Sequence, residues 1–474
     1  MKNKIFLLLF VLFCNIVVSQ TICTGGFAGV FPCNKIDLMA NLDFPQIGGN
    51  FTTEGSGCWG WTDPLTNKEY AIIGCTTHTA IVDITIPHAP VYLGKINSHN
   101  NVTSLWREVN VYNNHLYIVS EATGHGMQIF NLTRLRGVTT PQVFVPDARY
   151  TGFGNCHTVA INYSSGYAYC NGSGTYSGGP HVLNLANPIA PTLVLGYSAQ
   201  GYTHDAQIVN YNGPDLDHIG KELFIGANQN KVVIVDVTNK STPILISTFT
   251  YPNTSYTHQG WFTEDKKYWI LGDEIDETTF GFNSKSIIID MTNLDAPILK
   301  ANYFGPTAAI DHNGYVKGND FYLANYTAGM RIINTSNIQG AGTMNEVGFF
   351  DTYPENNNAL FNGVWNVYPY FPSGTIIMSD IDRGLFIVRK NASLGIDDFE
   401  KNALSMYPNP TNSDVTINMN DAIHTIDIYD VIGKKVKSFN SIEKNSYTFN
   451  VEEFEKGIYF VKINNSISKK LIVK

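Results

Sequence analysis

Charge is scarce in this chain. Asp, Glu, Lys and Arg make up 15% of its 474 residues, against roughly 25% in an average soluble protein, which excludes a charged helical rod and an intrinsically disordered chain. Basic charge is the scarcer sign: 31 Lys and Arg stand against 40 Asp and Glu, a net charge of −9. Such a surface repels a phosphate backbone, and nucleic acid is not expected as a partner. After the N-terminal segment, no apolar run reaches the roughly 18 to 20 residues that cross a bilayer, so no transmembrane segment is expected. A Gly-x-Ser-x-Gly elbow, a P-loop, a dinucleotide fingerprint and a His-Glu-x-x-His helix are all missing, which removes the usual support for standard hydrolase and nucleotide chemistry. Cysteine is absent after Cys170.

Aromatic residues are abundant at 12%, with 26 Tyr and 27 Phe, and a chain of this length needs several domains or one repetitive domain. Residues 1–20 read as a secretory signal peptide: Lys2 and Lys4 precede an apolar run from Ile5 to Val18, and Ser19-Gln20 returns to polar sequence. Cys14 lies inside that run behind the bulky Phe13, where a lipidation site requires a small residue. Export leaves six cysteines in an oxidising compartment, and an even number there reads as disulfides. Spacing favours Cys23 with Cys33, Cys58 with Cys75 across a hairpin turning near Thr66-Asn67, and Cys156 with Cys170 across one turning at Ser164-Ser165-Gly166.

A short apolar strand with a polar end recurs about every fifty residues. It appears as Thr79 to Asp83, Met127 to Asn131, Val182 to Asn184, Val232 to Asp236, Ile287 to Asp290 and Met330 to Asn334, and without the polar end as Gly384 to Val388. Pro90, Pro141, Pro191, Pro243 and Pro297 follow five of these ends. A residue that cannot donate to a ladder suits the start of an outer edge strand. Each repeat therefore predicts a four-stranded antiparallel blade, and together they predict a seven-bladed β-propeller over 21–393. The last repeat lacks an outer strand, and the segment at 35–42 is the spare strand expected to close the ring. Residues 394–474 break the period and show short alternating strands, which predicts a small Ig-like β-sandwich and an all-β protein throughout.

Four motifs stand in order in this tail: Met406-Tyr407-Pro408-Asn409-Pro410, Ile428 to Gly433, Gly457 to Val461, and Lys469 to Lys474. With them the tail resembles the C-terminal sorting domain of the type IX secretion system. That resemblance implies the type IX secretion machinery as a partner, export across the outer membrane, and a secreted or cell-surface location. The repeats, best in Val232 to Asp236 and Ala80 to Asp83, resemble the LVIVD repeats of the choice-of-anchor B family. This second resemblance implies a propeller and supplies no catalytic residues.

Function is then read from the blade geometry. Inner-strand starts and second-strand ends lie on one face of the disc and converge on the channel mouth. His157, His204, His258 and His312 occupy the first register in four consecutive blades, with Glu108 in the corresponding place of the second. Second strands end at Glu121, Asp273 and Asp380, and Asp205 follows His204. Three or four imidazoles beside carboxylates form a donor set for a divalent transition metal. The plainer alternative is that each His donates to a neighbouring blade's carbonyl. These residues favour a surface protein that binds an extracellular ligand at a His-rich mouth over the competing reading, a metal-dependent hydrolase or lyase using the same cluster. The loop carboxylates Asp273 to Glu277 and Asp380 to Asp382 are oxygen donors of the kind calcium takes, but they have no EF-hand spacing, and solvated charge is the expectation ahead of a calcium site.

Overall fold

A computed structural model describes residues 20–391, 405–431, 433–464 and 467–474. The expected signal segment lies outside the described residues except for Gln20. The chain divides into two compact units, Met1–Asn391 and Ala392–Lys474.

Among the described residues the first unit contains seven four-stranded antiparallel cores of sheet. Their innermost strands are Gly55–Thr62, Arg107–Tyr112, Thr158–Asn162, Asp205–Asn210, Thr257–Phe262, Gly314–Lys317 and Val364–Tyr368. Each packs against the next, and the last packs against the first, so the sheets close a β-propeller around a channel. The last sheet obtains its fourth strand from the N-terminus: Ile36–Leu42 pairs antiparallel with Gly384–Lys390, Ile36 opposite Lys390 and Leu42 opposite Leu385. Just upstream, Phe31–Asn34 adds to the edge of the sixth sheet by pairing with Asn345–Phe350.

The recurring apolar strand is the third of each blade, and its composition follows from its position. Leu223, Ile225, Val232 and Ile234 of the fourth blade meet Phe262, Trp269, Leu271, Ile287 and Ile289 of the fifth in one core, while Val233 and Val235 join Tyr169 and Val182 of the third blade. A strand covered on both faces cannot alternate, so it is apolar throughout. The polar residue that ends it makes a turn. Asp83, Asn131, Asn184, Asp236, Asp290 and Asn334 each accept the backbone N–H two residues on, at 2.7 to 3.1 Å. Asp and Asn are suited to that local bond, and it starts the connection to the outer strand.

Two features differ from the sequence reading. Pro141 does not open the outer strand of the second blade; Gln142–Phe144 runs parallel on the first blade's outer strand instead, and Ala148–Tyr150 completes the second. Close approach is allowed by Gly94 at φ +137°, where a Cβ would sit 2.0 Å from the Gln142 carbonyl oxygen. The cysteines are the second correction. Cys23–Cys33 is bonded, but Cys58, Cys75, Cys156 and Cys170 are free and buried. A register shift sets Cys58 opposite Ile73 and Cys75 opposite Gly55, so that pair is not face to face. In the third blade Cys170 lies opposite Val159, and the Cys156 thiol is directed at the Thr158 and Asn171 carbonyls, 3.1 and 3.2 Å away.

The second unit is one five-stranded sheet with its own core, including Val415, Ile417, Ile426, Ile428, Val461 and Leu471. Where short strands are expected, residues 414–429 form a single strand of 16 residues, Asp414–Tyr429. Its first half pairs with Ser405–Tyr407 and its second half with Gly457–Ile463.

Two outcomes follow. Ile36→Ala, in a side chain 1% exposed, should destabilise the propeller by about 2 to 4 kcal/mol in denaturant unfolding, because the closing strand loses its anchor. Thiol titration of denatured, unreduced protein lacking residues 1–20 should find the four thiols of Cys58, Cys75, Cys156 and Cys170, and none in the native state because all four are buried.

Candidate functional site

The four histidines meet. His157, His204 and His312 each donate their backbone N–H to the carbonyl that ends the second strand of their own blade, Asn171, Ala227 and Ala324, at 2.9 to 3.0 Å. His258 enters at a bulge between Thr257 and Gln259. That common register turns sequence spacing into an arc of rings: the centroids of His157 and His204 are 4.3 Å apart, those of His204 and His258 4.1 Å, and those of His258 and His312 4.3 Å. Trp106, Arg107 and Trp365 complete the wall of a cavity of about 10 Å³ between the rings, room for about one water molecule.

Their ring nitrogens are partnered unequally. His157 Nδ1 is 2.6 Å from Glu121 Oε1. His204 Nδ1 bonds the His258 carbonyl oxygen at 3.0 Å, and His312 Nδ1 bonds the Trp365 carbonyl oxygen, each in the following blade. Those two bonds are the structural role that a repeated His would have. His258 is different: it is 1% exposed and neither ring nitrogen has a hydrogen-bond partner. Its Nε2 lies 3.5 Å from Glu274 Oε2, and His312 Nε2 lies 3.6 Å from Glu274 Oε1. Tyr326 donates its hydroxyl to Glu274 Oε1 at 2.8 Å and orients that carboxylate. His258, Glu274 and His312 thus place two nitrogens and one oxygen within 4.8 Å of one another.

Burial sets the charge here. It holds His204 and His258 well below the usual imidazole range and His312 down to about 3, so these rings are neutral and have lone pairs to offer. Burial also pushes Glu274 up to about 7.

The remaining carboxylates named from the sequence are distributed differently. Glu108 lines the His cavity and also a chamber of about 220 Å³ walled by Trp59, Trp261 and Tyr315, and Asp205 faces that chamber alone. Burial pushes Glu108 up to about 8 and Asp205 up to about 6. Asp273 is spent on structure: its oxygens accept the Tyr251 hydroxyl and the Ser255 and Tyr256 amides at 2.6 to 2.8 Å. Asp380 likewise accepts the Thr352 hydroxyl and the Asp382 and Arg383 amides, away from the imidazoles. Glu274 was missed by sequence reasoning. It stands one residue past the recurring strand end, and only its neighbour Asp273 carried the register signal.

Comparison with known proteins agrees with this architecture. Residues 405–474 match the model of a secretion system C-terminal sorting domain, and residues 219–251, which contain Val232 to Asp236, match the LVIVD repeat. No curated protein sequence matches the chain. The WD40 β-propeller domain of Doa1 is similar in structure, at 15% identity and a TM-score of 0.51, over 76% of this chain and 98% of that one. PorZ, a surface component of the type IX secretion system of Porphyromonas gingivalis, aligns at 11% identity and a TM-score of 0.46, over 86% of this chain and 58% of its own. The chain therefore spans little more than half the length of PorZ. Among the described residues no helix is long and apolar enough to cross a membrane. The sorting domain indicates secretion or attachment at the outer surface through the type IX system. The chain thus ends in a match to a secretion system C-terminal sorting domain and has, within the fourth blade of its β-propeller, a match to the LVIVD repeat.

Proposed function

We propose that this exported propeller binds a divalent transition metal ion at the His-lined mouth of its channel, with His258, His312 and Glu274 as ligands and the ion, or a partner docked on it, as the extracellular ligand. The observation that carries the reading is His258: a neutral imidazole, wholly buried, with both nitrogens unpartnered. Leaving such a group unsatisfied costs about 1 to 3 kcal/mol, and a bound cation would take up the lone pair of one of its two nitrogens. Two imidazoles and a carboxylate are the donor types that zinc and its neighbours take, and Tyr326 holds the carboxylate as an outer-shell partner.

Cavity size separates this reading from the enzyme alternative. A space of about 10 Å³ between the rings is the size of an ion or of one water molecule. The same cluster serving a hydrolase or lyase would need the mouth to open.

Elemental analysis of protein purified without metal-affinity steps, and again after dialysis against zinc, tests the proposal. About one transition metal ion per chain is expected, falling at least tenfold in His258→Ala and in Glu274→Gln with the fold retained by circular dichroism. A wild-type chain that takes up no transition metal, or a His258→Ala chain that binds it unchanged, overturns the reading.

A further inference from the structure

The acidic run Asp273 to Glu277 is expected from sequence as solvated charge, and the structure buries much of it. Asp276 and Glu277, at the start of the helix Asp276–Phe280, are 0% and 3% exposed. Asp311, from the segment that leads into the sixth blade, is 0% exposed and points at the same spot, so that one carboxylate oxygen from each of the three lies within 4.8 Å of the others.

Counting partners leaves this cluster short of positive charge. Lys285 Nζ, itself 2% exposed, pairs with Asp276 Oδ2. Glu277 Oε1 accepts the backbone N–H groups of Lys285 and Asp311 at 3.2 and 3.4 Å. Glu277 Oε2 and both carboxylate oxygens of Asp311 have no hydrogen-bond partner. Three buried carboxyl groups thus face one ammonium, and burial pushes all three up from the usual carboxylate range. Buried charge is retained where it is paired or coordinates a metal. The surrounding backbone also leaves room for this arrangement: a Cβ on Gly272 would sit 2.2 Å from Asp311 Oδ2, so glycine in the fifth blade's second strand is what lets the Asp311 carboxylate lie there.

We propose that Asp276, Glu277 and Asp311 bind a hard divalent cation of the calcium type. Oxygen donors alone suit calcium and not the softer metals that favour imidazole, and the orphaned oxygens of Glu277 and Asp311 are the free ligand positions. Outside the cell, calcium sites with dissociation constants of about 10⁻⁴ to 10⁻³ M are filled, so the site needs no exceptional affinity. Its placement gives it a structural consequence. Glu274 lies two residues before Asp276, and His312 follows Asp311 directly, so a cation bound here ties together the two backbone segments that deliver those side chains to the channel mouth. The two cation sites differ in donors and are separable by experiment.

Full-length mature protein, stripped with a chelator and dialysed, is unfolded thermally with and without about 5 mM calcium chloride. Calcium should raise the propeller transition by about 3 °C or more, and Asp311→Asn and Glu277→Gln should each abolish the shift. Without calcium both variants should melt close to the stripped wild type, because each is nearly isosteric with the buried acid it replaces. His258→Ala should keep the full calcium shift, which separates failure of this site from failure of the transition-metal site. No calcium-dependent shift in the wild type, or a shift that survives in both variants, overturns the proposal.

Discussion

One pairing holds the propeller together as a ring: the strand Ile36–Leu42 laid on Gly384–Lys390. It joins the two ends of the first unit, and without it the last sheet has three strands and an open edge. The contact is apolar as well as hydrogen-bonded, since Ile36, Met39 and Leu42 are all buried. A neighbouring N-terminal strand, Phe31–Asn34, covers the sixth sheet, so one short stretch of chain secures the seam from both sides. The functional geometry depends on this closure. Each histidine is placed by hydrogen bonds within its own blade, but the separation of about 4 Å between successive rings is a property of how blades sit around an axis.

The interior of this ring is electrostatically unusual for a protein with so little charge. The histidines are neutral because they are buried, and carboxylates from the same disc face, Glu108, Glu274 and Asp205, are pushed upward for the same reason. Arg107, in the wall of the His cavity, donates from Nε to the Cys75 carbonyl and from Nη1 to His125 Nε2, and its Nη2 has no hydrogen-bond partner. Metal-ligand donors accumulate at the junction of the fifth and sixth blades with Lys285 as the ammonium paired there: Glu274 lies beside the imidazoles, and Asp276 and Glu277 meet Asp311. A single loop thus feeds two clusters of different chemistry, one mixed nitrogen and oxygen, one oxygen alone.

What repeats was legible. The third strands announced themselves because burial on both faces forces continuous apolar runs, and their Asp and Asn ends because an Asx turn must follow each. The His register was legible for a related reason: equivalent positions in equivalent blades share a backbone environment. What does not repeat was not legible. Pro141 matched the pattern of its counterparts, yet its strand crossed to another sheet where Gly94 leaves room. Cys58 and Cys75, at hairpin-like spacing, are unpaired because the register shift between Gly55 and Cys58 takes their side chains out of opposition. Glu274 carries no periodic signal at all.

By itself the sequence determined the all-β repeat, its polar turns, the export tail and the set of imidazoles in one register, because each of these is a local pattern imposed by strand burial or by a contiguous motif. Only the tertiary structure decided which carboxylate joins the histidines, that His258 is left without partners while His204 and His312 bond the next blade, and that acidic residues of a surface-like run are buried against Asp311. These depend on contacts between separate segments, 34 residues apart for Glu277 and Asp311 and 53 to 54 for the histidines and the next blade, across a ring whose closure no local stretch of chain encodes.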